Sequence, residues 1–221
     1  MSSATSTTRH DIGPVTALIL AGGLARRMGG QDKGLIEVAG RAMVVHVADA
    51  LRPQVDALVV NANRNQSDYA ALLEVPVLSD VVGDFAGPLA GMLSGLRHIA
   101  GGWLLSCPCD SPVIAGDLVA RMVADIEREG CQLAVAHDGE RLQPVFALLA
   151  RALADDLAEF LDSGERKIDR WYARHRFCAV DFHDRQDMFI NINTPQERER
   201  FEQTLRGGAS RADANAAPRL G

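Results

Sequence analysis

Small residues crowd together directly after the first apolar run of the chain, in the stretch LILAGGLARRMGGQDKGL (residues 18–35). Ala21, Gly22 and Gly23 follow this run at once. Without bulky side chains in the way, peptide N–H groups can point into a concavity, which suits a phosphate or the base and sugar of a nucleotide. We therefore predict that these three residues contact a bound nucleotide.

Two basic residues of the same stretch, Arg27 and Lys33, supply the positive charge that neutralises phosphate. The stretch is not a P-loop, because Gly34 rather than Ser or Thr follows Lys33, and its glycines lack the spacing of a dinucleotide-binding fingerprint. The alternative is a glycine turn with solvated basic residues. The apolar run, the glycine pairs and the lysine together favour the phosphate site.

A carboxylate follows another apolar run, where Asp110 lies in CPCDSP (residues 107–112). At the carboxyl end of a buried strand, its hard oxygen atoms suit a Mg²⁺ ion that bridges phosphates. A helix N-cap or a turn aspartate explains Asp-Ser-Pro equally well. On the residues alone both interpretations stay open.

Amides end a further apolar run in VNANR (residues 60–64), which contains Asn61, Asn63 and Arg64. Asparagine amides can bind the donor and acceptor edge of a base. They are also ordinary turn formers, so the motif alone does not separate the two roles.

Acidic residues and regularly spaced glycines share the stretch DVVGDFAGPLAGMLSGL. Asp80 and Asp84 precede Gly87, and Gly87, Gly91 and Gly95 are spaced by four, which places them on one face of a helix. A bare face lets a flat ligand or another backbone approach closely. Tight packing of this helix on a sheet explains Gly91 and Gly95 at least as well.

A run of cations near the end of the chain is unusual in an acidic protein. Its members are Arg166, Lys167, Arg170, Arg174, His175 and Arg176. One interpretation is a solvated helix face, and the other is a binding surface for an anionic second substrate.

The sequence gives little support for nucleophilic catalysis or for a metal site built from cysteines. The scattered histidines have no recognisable Ser, Cys or Asp partners; they are His46, His98, His137 and His183. This absence fits phosphoryl or nucleotidyl transfer, in which positioning and charge neutralisation dominate. The cysteines are predicted to be buried and reduced rather than metal-binding, since one C-x-C pair is a poor zinc signal; they are Cys107, Cys109, Cys131 and Cys178.

Composition excludes two broad classes of function. The 221 residues carry a net charge of −6, which argues against a general nucleic-acid surface. No apolar run approaches the roughly 20 residues that span a bilayer. Val15–Leu20 is too short for a secretory segment, and Arg26 follows it closely, so we predict a core strand and a cytoplasmic protein.

These residues require elements that bring them together, and short apolar runs alternate with helical patterns. The predicted strands are Val15–Leu20, Ala57–Val60, Val75–Leu78, Trp103–Cys107 and Leu133–Ala136. The predicted helices are Met43–Leu51, Tyr69–Leu73, Leu89–Ile99 and Leu118–Glu129. This alternation predicts an α/β fold with a mostly parallel, doubly wound sheet and helices on both faces. Ligands then collect at the carboxyl ends of the strands.

The second half departs from this alternation. It predicts a strand within 137–149, a helix over 150–162, a basic helix over 164–176, a strand over 177–182 and a short strand at 189–193. Thr194 and Glu197 form a capping box for a final helix. We predict one domain over 14–206, with disordered segments at 1–13 and 207–221.

Over about residues 15–205 the chain resembles the molybdenum cofactor guanylyltransferases, the MobA family of nucleotidyltransferases. The motifs LAGGLARRMGGQDKGL, VNANR, GPLAG, CPCDSP and NINTP carry the resemblance, in this order. It implies a Rossmann-like nucleotidyltransferase fold. It also implies that GTP and molybdenum-bound molybdopterin react to give the guanine dinucleotide cofactor and pyrophosphate.

The resemblance also implies site residues. It implies GTP contacts at Leu20, Ala21, Gly22, Lys33, Asn61, Asp80 and Asp110. It implies Mg²⁺ on Asp110 and places Asn191 and Asn193 on the pterin side, to which we add Arg166 and Lys167 from the basic run. Many relatives have Ser or Thr where this chain has Ala25, so a hydroxyl contact is absent there.

In the expected reaction the terminal phosphate of the pterin attacks the α-phosphorus of GTP. Arg27, Lys33 and the metal on Asp110 stabilise the charge. The expected partners are these two substrates, with molybdopterin-loading proteins and acceptor apoenzymes as further candidates, and neither nucleic acid nor a membrane.

Two alternatives stay open. A cytidylyltransferase is the first, because related cytidylyl enzymes tend to show LAAG where this chain has LAGG, and Gly22 alone carries much of that difference. A non-catalytic nucleotide-binding or cofactor-binding protein is the second. Retention of Lys33 and Asp110 argues against it, since a degenerate site should lose its metal ligand.

Overall fold

The computed structural model describes residues 12–21, 24–25, 31–81 and 87–203. The segments predicted to be disordered therefore lie outside the described residues, apart from Ile12 and Gly13. Four residues singled out above also lie outside them, namely Gly22, Gly23, Arg27 and Asp84.

Strands and helices alternate along the chain as the sequence predicts. The strands are β1 (Val15–Leu20), β2 (Leu24–Ala25), β3 (Gln31–Asp32), β4 (Glu37–Val38), β5 (Arg41–Ala42), β6 (Ala57–Asn61), β7 (Val77–Leu78), β8 (Trp103–Pro108), β9 (Leu133–His137), β10 (Leu142–Ala150) and β11 (Cys178–Asp181). The helices are α1 (Met43–Leu51), α2 (Gln66–Leu73), α3 (Pro88–His98), α4 (Leu118–Glu129), α5 (Ala154–Asp162), α6 (Ile168–Tyr172) and a final helix, α7, described over 195–203.

A seven-stranded sheet in the order β11-β9-β10-β8-β1-β6-β7 forms the centre of the molecule. Its neighbouring strands pair in parallel except around β10, which is antiparallel to both β8 and β9. The prediction of a mostly parallel sheet is confirmed. The short strands β2–β3 and β4–β5 form two separate antiparallel pairs.

Helices cover both faces of this sheet, which confirms the doubly wound arrangement. On one face, α1, α2 and α4 bury apolar side chains against Ala17 and Ile19 of β1. On the other, α3, α5 and α6 pack against Leu18. Because successive side chains of a strand point to opposite faces, three adjacent residues of β1 contribute to both layers of the core. Among the described residues, no helix is both long and apolar enough to cross a bilayer.

The order of connections places a crevice at the centre of the sheet. From β1 the chain moves through α1 to β6 and β7 on one side, and α3 then returns it to β8 on the other side of β1. The strand order therefore reverses between β1 and β8, and such a switch point opens a crevice at the carboxyl ends of the strands. Leu20 and Pro108 end these two strands in register, so the segments that follow them lie side by side.

Three elements differ most clearly from the sequence expectation. Residues 189–193 do not form a strand: Ile192 N–H donates to Asp110 O (2.8 Å), and the segment crosses the end of β8 instead of pairing along an edge. The basic helix predicted over 164–176 shrinks to Ile168–Tyr172, and the strand predicted over Val75–Leu78 shrinks to Val77–Leu78. These short segments are fixed by tertiary contacts, which local patterns do not encode.

The glycines of α3 serve close packing on the sheet. A Cβ atom added at Gly95 would lie 2.7 Å from Leu104 Cδ2 and 2.9 Å from Leu18 Cδ2, and one at Gly91 would lie 2.5 Å from both Asn61 Oδ1 and Leu20 Cδ2. The packing interpretation is therefore sufficient for both glycines. Gly91 also leaves room for the Asn61 side chain.

We expect Gly95→Ala to lower the free energy of unfolding. Overpacking against two buried leucines costs about 1–3 kcal/mol, more than the gain of up to about 1 kcal/mol from replacing glycine in a helix. Gly116→Ala, in the turn before α4, is the control for the added methyl group, because a Cβ atom there meets nothing within 4 Å. Urea unfolding of both variants measures the difference, and equal stability would contradict the close packing.

Candidate active site

One ammonium group joins three distant parts of the chain at the central crevice. Lys33 Nζ donates to Asp110 Oδ2 (2.9 Å) and to Asn193 Oδ1 (2.5 Å), across sequence separations of 77 and 160 residues. The Lys33 and Asp110 side chains are only 22% and 12% exposed, so water screens this ion pair less than it screens a surface pair. Lys33 and Asp110, which were predicted independently from two motifs, belong to one site.

Asp110 lies in the turn that follows β8. Cys109 N–H donates to Leu20 O (3.2 Å), which extends the contact between the ends of β1 and β8, and Asp110 O accepts the N–H of Ile192. Asp110 is not a helix N-cap, because α4 begins at Leu118 with Asp117 as its N-cap. The backbone thus fixes the carboxylate at the mouth of the crevice.

A buried carboxylate holds the segment that carries Lys33. Asp32 is 8% exposed and accepts hydrogen bonds from Tyr69 Oη (2.5 Å) and Asn65 Nδ2 (3.4 Å). Burial, reinforced by the neighbouring Cys109 and Asp32, raises the pKa of Tyr69 far above its ordinary value, so the hydroxyl stays a donor. A Cβ atom at Gly34 would lie 2.6 Å from Tyr69 Oη, which explains the glycine after Lys33.

Sequence reasoning missed this Asp32–Tyr69 pair. A buried tyrosine usually finds a partner for its hydroxyl, and the core-facing position of Tyr69 on α2 was the available signal. The identity of the partner, 37 residues away, could not be read from the spacing.

Amides and a carboxylate meet at the ends of β6 and β7. Asp80 accepts Asn61 Nδ2 at Oδ1 (3.0 Å) and Asn63 Nδ2 at Oδ2 (2.7 Å), and its own N–H donates to Asn63 Oδ1 (2.9 Å). Asn61 is only 4% exposed. The structure therefore brings Asn61 and Asp80 together on one side of the crevice, as a compact set of donors and acceptors.

The backbone of Ala21 continues the sheet. Its N–H donates to Asn61 O (2.8 Å), and the residue is 1% exposed. This donor is consequently occupied by the protein itself. The prediction of free peptide donors then depends on Gly22 and Gly23, which lie outside the described residues.

The two asparagines expected on the acceptor side adjoin Asp110. Asn191 Oδ1 accepts the hydroxyl of Ser111 (2.6 Å), while Asn193 contacts Lys33 as described. The backbone N–H of Asn193 donates to Glu197 Oε2 (2.7 Å). The contact between Asn193 and Lys33 was not predicted from the sequence.

The predicted capping box is confirmed. Glu197 Oε2 also accepts the N–H of Thr194 (2.9 Å), and Thr194 Oγ1 accepts the N–H of Glu197 (3.2 Å). Hydrogen bonds from the backbone N–H of Asn193 and from Thr194 lower the pKa of Glu197. The start of α7 therefore holds Asn193 in place beside Lys33.

Most cations of the basic run are paired within their own region. Arg166 Nη1 donates to Leu161 O (2.6 Å) and Glu165 O (2.7 Å), between α5 and α6, where Lys167 also lies. Arg170 pairs with Glu165 (2.8 Å), and Arg174 pairs with Asp156 (2.8 Å). Among the described residues, no hydrogen bond or ion pair joins this run to the Lys33 cluster. These contacts favour a solvated face for Arg170 and Arg174.

The oxygen atoms around Lys33 fit a divalent cation. Asp110 Oδ2 and Asn193 Oδ1 both lie within hydrogen-bonding distance of one positive charge, so a carboxylate and an amide oxygen already converge on a cationic group. Hard oxygen donors of this kind suit Mg²⁺. Asp110 would be the charged ligand.

Comparisons with known proteins identify the family to which the chain belongs. A family model described as a MobA-like NTP transferase domain matches residues 17–177. A molybdenum cofactor guanylyltransferase of Shewanella sp. strain MR-4 is 50% identical over 187 residues, which cover 85% of this chain and 94% of the relative. Its counterpart in Shewanella woodyi is 48% identical over 191 residues, which cover 86% of this chain and 97% of the relative.

A solved structure shows the same fold. Molybdopterin-guanine dinucleotide biosynthesis protein A of Archaeoglobus fulgidus matches with a TM-score of 0.72 at 23% identity, covering 87% of this chain and 99% of that one. The layered arrangement derived above from the sheet order is therefore shared with a known protein.

We expect Tyr69→Phe to destabilise the chain by about 1–3 kcal/mol, because Asp32 loses its closest donor while remaining buried. A double-mutant cycle with Asp32→Asn separates this hydrogen bond from packing effects. Denaturant unfolding of the wild type, both single variants and the double variant measures the coupling. Strictly additive losses would show that the two side chains do not support each other.

Proposed function

The chain belongs to the MobA-like NTP transferase family, and we propose that it transfers GMP from GTP to molybdenum-bound molybdopterin. The products are the guanine dinucleotide form of the molybdenum cofactor and pyrophosphate. The observation that supports this function best is the contact of Lys33 with both Asp110 and Asn193. It places a cation and a carboxylate at the sheet crevice, where a triphosphate and an acceptor phosphate must meet.

The acceptor phosphate attacks the α-phosphorus of GTP, a new P–O bond forms, and the bond to pyrophosphate breaks. Lys33 stabilises the charge that develops on the transferring and leaving phosphates, because a preorganised cation at a shielded site needs little reorganisation. Arg27 is assigned the same role from the sequence. The nucleophile is already an anion, so the reaction needs no strong general base.

Asp110 is the residue that would hold Mg²⁺. When bound, the ion supplies Lewis-acid stabilisation of phosphate oxygens. The ion pair with Lys33 (2.9 Å) holds the Asp110 carboxylate in position.

Asn61 and Asp80 are assigned to the guanine base. The edge of guanine presents two adjacent N–H donors, and a carboxylate accepts both, whereas cytosine presents mainly acceptors there. The hydrogen bonds from Asn61 and Asn63 hold the Asp80 carboxylate in a fixed orientation. This arrangement favours GTP over CTP, in agreement with Gly22 of the LAGG motif. Leu20, Ala21, Gly22 and Gly23 are assigned to the same nucleotide.

The pterin substrate is assigned to the side of Asp110 that faces away from the proposed nucleotide contacts. Asn191 and Asn193 adjoin that residue, and Arg166 and Lys167 are proposed to attract the anionic acceptor. A cytoplasmic location and transfer of the product to acceptor apoenzymes complete the proposal.

Pyrophosphate release with Mg²⁺ and molybdenum-bound molybdopterin tests the function directly, with GTP, CTP and ATP compared in parallel. Release with GTP alone supports guanylyl transfer. A preference for CTP would keep the reaction class and overturn the assignment of the base. No release with any nucleotide, from folded protein and intact acceptor, would favour a binding protein.

We expect Asp110→Ala to lower turnover at least about 100-fold, the loss typical of removing one group that stabilises developing charge. Lys33 keeps Asn193 as a partner, so the fold should survive, which circular dichroism checks. Asp181→Ala, an exposed carboxylate at the end of β11, is the control and should turn over normally. Normal turnover of Asp110→Ala would remove this residue from the metal role.

We expect Lys33→Ala to lower kcat/KM for GTP by about 2–4 kcal/mol of transition-state stabilisation, which is about 30- to 900-fold. Lys167→Ala should leave kcat/KM for GTP unchanged and raise KM for the pterin. Steady-state kinetics with each substrate varied in turn separates the two lysines. Equal effects on both substrates would contradict the separate assignments.

A further inference from the structure

Two buried thiols and a carboxylate converge at the end of α4. One ligand atom from each of Glu129, Cys131 and Cys178 lies within 4.8 Å of the others, and within the described part of the chain this is the only such group of His, Cys, Asp or Glu side chains. Cys131 is 4% exposed and Cys178 is 1% exposed, whereas Glu129 faces solvent. The cluster is therefore closed on the sulfur side and open on the carboxylate side.

The cluster is separate from the proposed catalytic site. Cys178 begins β11, and Cys131 lies two residues before β9. The two strands are parallel, with Cys178 paired to Ala134, so both thiols lie at their amino ends. Lys33 and Asp110 lie at the carboxyl ends of the parallel strands, at the opposite end of the strands from the two thiols.

The surroundings of the thiols favour a cation. Cys178 Sγ donates to Asp125 O (3.6 Å) near the last turn of α4, where unpaired carbonyl groups give the helix its negative end. The negative charges of Glu129 and Asp125 also act on Cys178. These negative groups stabilise a positive ion beside the thiols.

The carboxylates near the thiols already bind one cationic group, the guanidinium of Arg128, at the surface. Its Nη1 contacts Asp125 Oδ1 (2.5 Å), and its Nη2 contacts Glu129 Oε1 (2.9 Å). The guanidinium is a surface group, with 62% of its side chain exposed. Glu129 can exchange this weak exposed pair for a ligand position without breaking a buried contact.

We propose that Glu129, Cys131 and Cys178 form a zinc site that fastens the end of α4 to the amino ends of β9 and β11. Zn²⁺ takes two thiolates and a carboxylate in tetrahedral geometry, with the fourth position left to water. Bond lengths of about 2.0–2.3 Å bring ligand atoms to about 3.5 Å from one another, so the side chains need to close by at most about 1.3 Å. Two metal–sulfur bonds form, and the two thiol protons pass to solvent.

Metal binding to the wild-type chain is the first test, with reduced, metal-free protein and Mg²⁺ in excess to occupy the catalytic carboxylate. We expect one equivalent of Co²⁺ to give a sulfur-to-metal charge-transfer band and tetrahedral ligand-field bands, both abolished by one equivalent of Zn²⁺. Zinc should raise the melting temperature and slow the alkylation of Cys131 and Cys178, read by peptide mass spectrometry. Absence of the band and of protection would overturn the proposal.

Variants assign the ligands. Cys131→Ser and Cys178→Ser should each remove the charge-transfer band. Glu129→Gln should weaken zinc binding at least about 10-fold, because even loss of a group that only orients a ligand costs that much. Cys107→Ala is the matched control, since Cys107 is a buried thiol outside the cluster. Full binding in the double Cys131→Ser/Cys178→Ser variant, or formation of a 131–178 disulfide without metal binding, would contradict the zinc site.

Discussion

The ammonium group of Lys33 imposes the strictest constraint on this structure. It is largely shielded from water and has Asp110 and Asn193 as its partners, on segments that follow β3, β8 and β11. Removing one member of such a pair leaves the other charge poorly compensated, which is far more costly than losing a surface ion pair. The three segments must therefore reach the crevice together, and each has an anchor of its own in addition to Lys33.

Those anchors show how a parallel sheet builds a reactive site from loops. The Lys33 segment rests on the Asp32–Tyr69 hydrogen bond, Asp110 is fixed by backbone hydrogen bonds from its neighbours, and Asn193 is held by the Glu197 cap. None of these anchors is part of the proposed chemistry. They supply the rigidity that lets a few polar side chains keep a fixed geometry at the edge of an apolar core.

The sequence was most informative where a pattern is local. Apolar runs such as Val15–Leu20 predicted the central strands, and Asn61, Lys33 and Asp110 lie at the ends of such strands or in the loops after them. Pairings over long separations could not be predicted, which is why the contact of Asn193 with Lys33 and that of Tyr69 with Asp32 were missed. Residues 189–193 look like a strand in composition, but the crevice offers them Asp110 O rather than a free sheet edge.

The edge of the sheet that carries Cys178 also determines where Asn193 lies. After β11 the chain forms a 3₁₀ segment, His183–Phe189, in which Asp184 accepts two hydrogen bonds from Arg121 of α4 (2.7 and 2.8 Å). Those bonds hold the pKa of Asp184 far below its usual range. The carboxylate therefore stays ionised, and its ion pair with Arg121 persists, at neutral pH. Helix α4 thus contacts the chain at Cys178, where β11 begins, and again at Asp184, shortly after β11 ends. Because Asn193 follows this segment by only a few residues, fastening α4 to β11 also fixes the path by which Asn193 reaches Lys33.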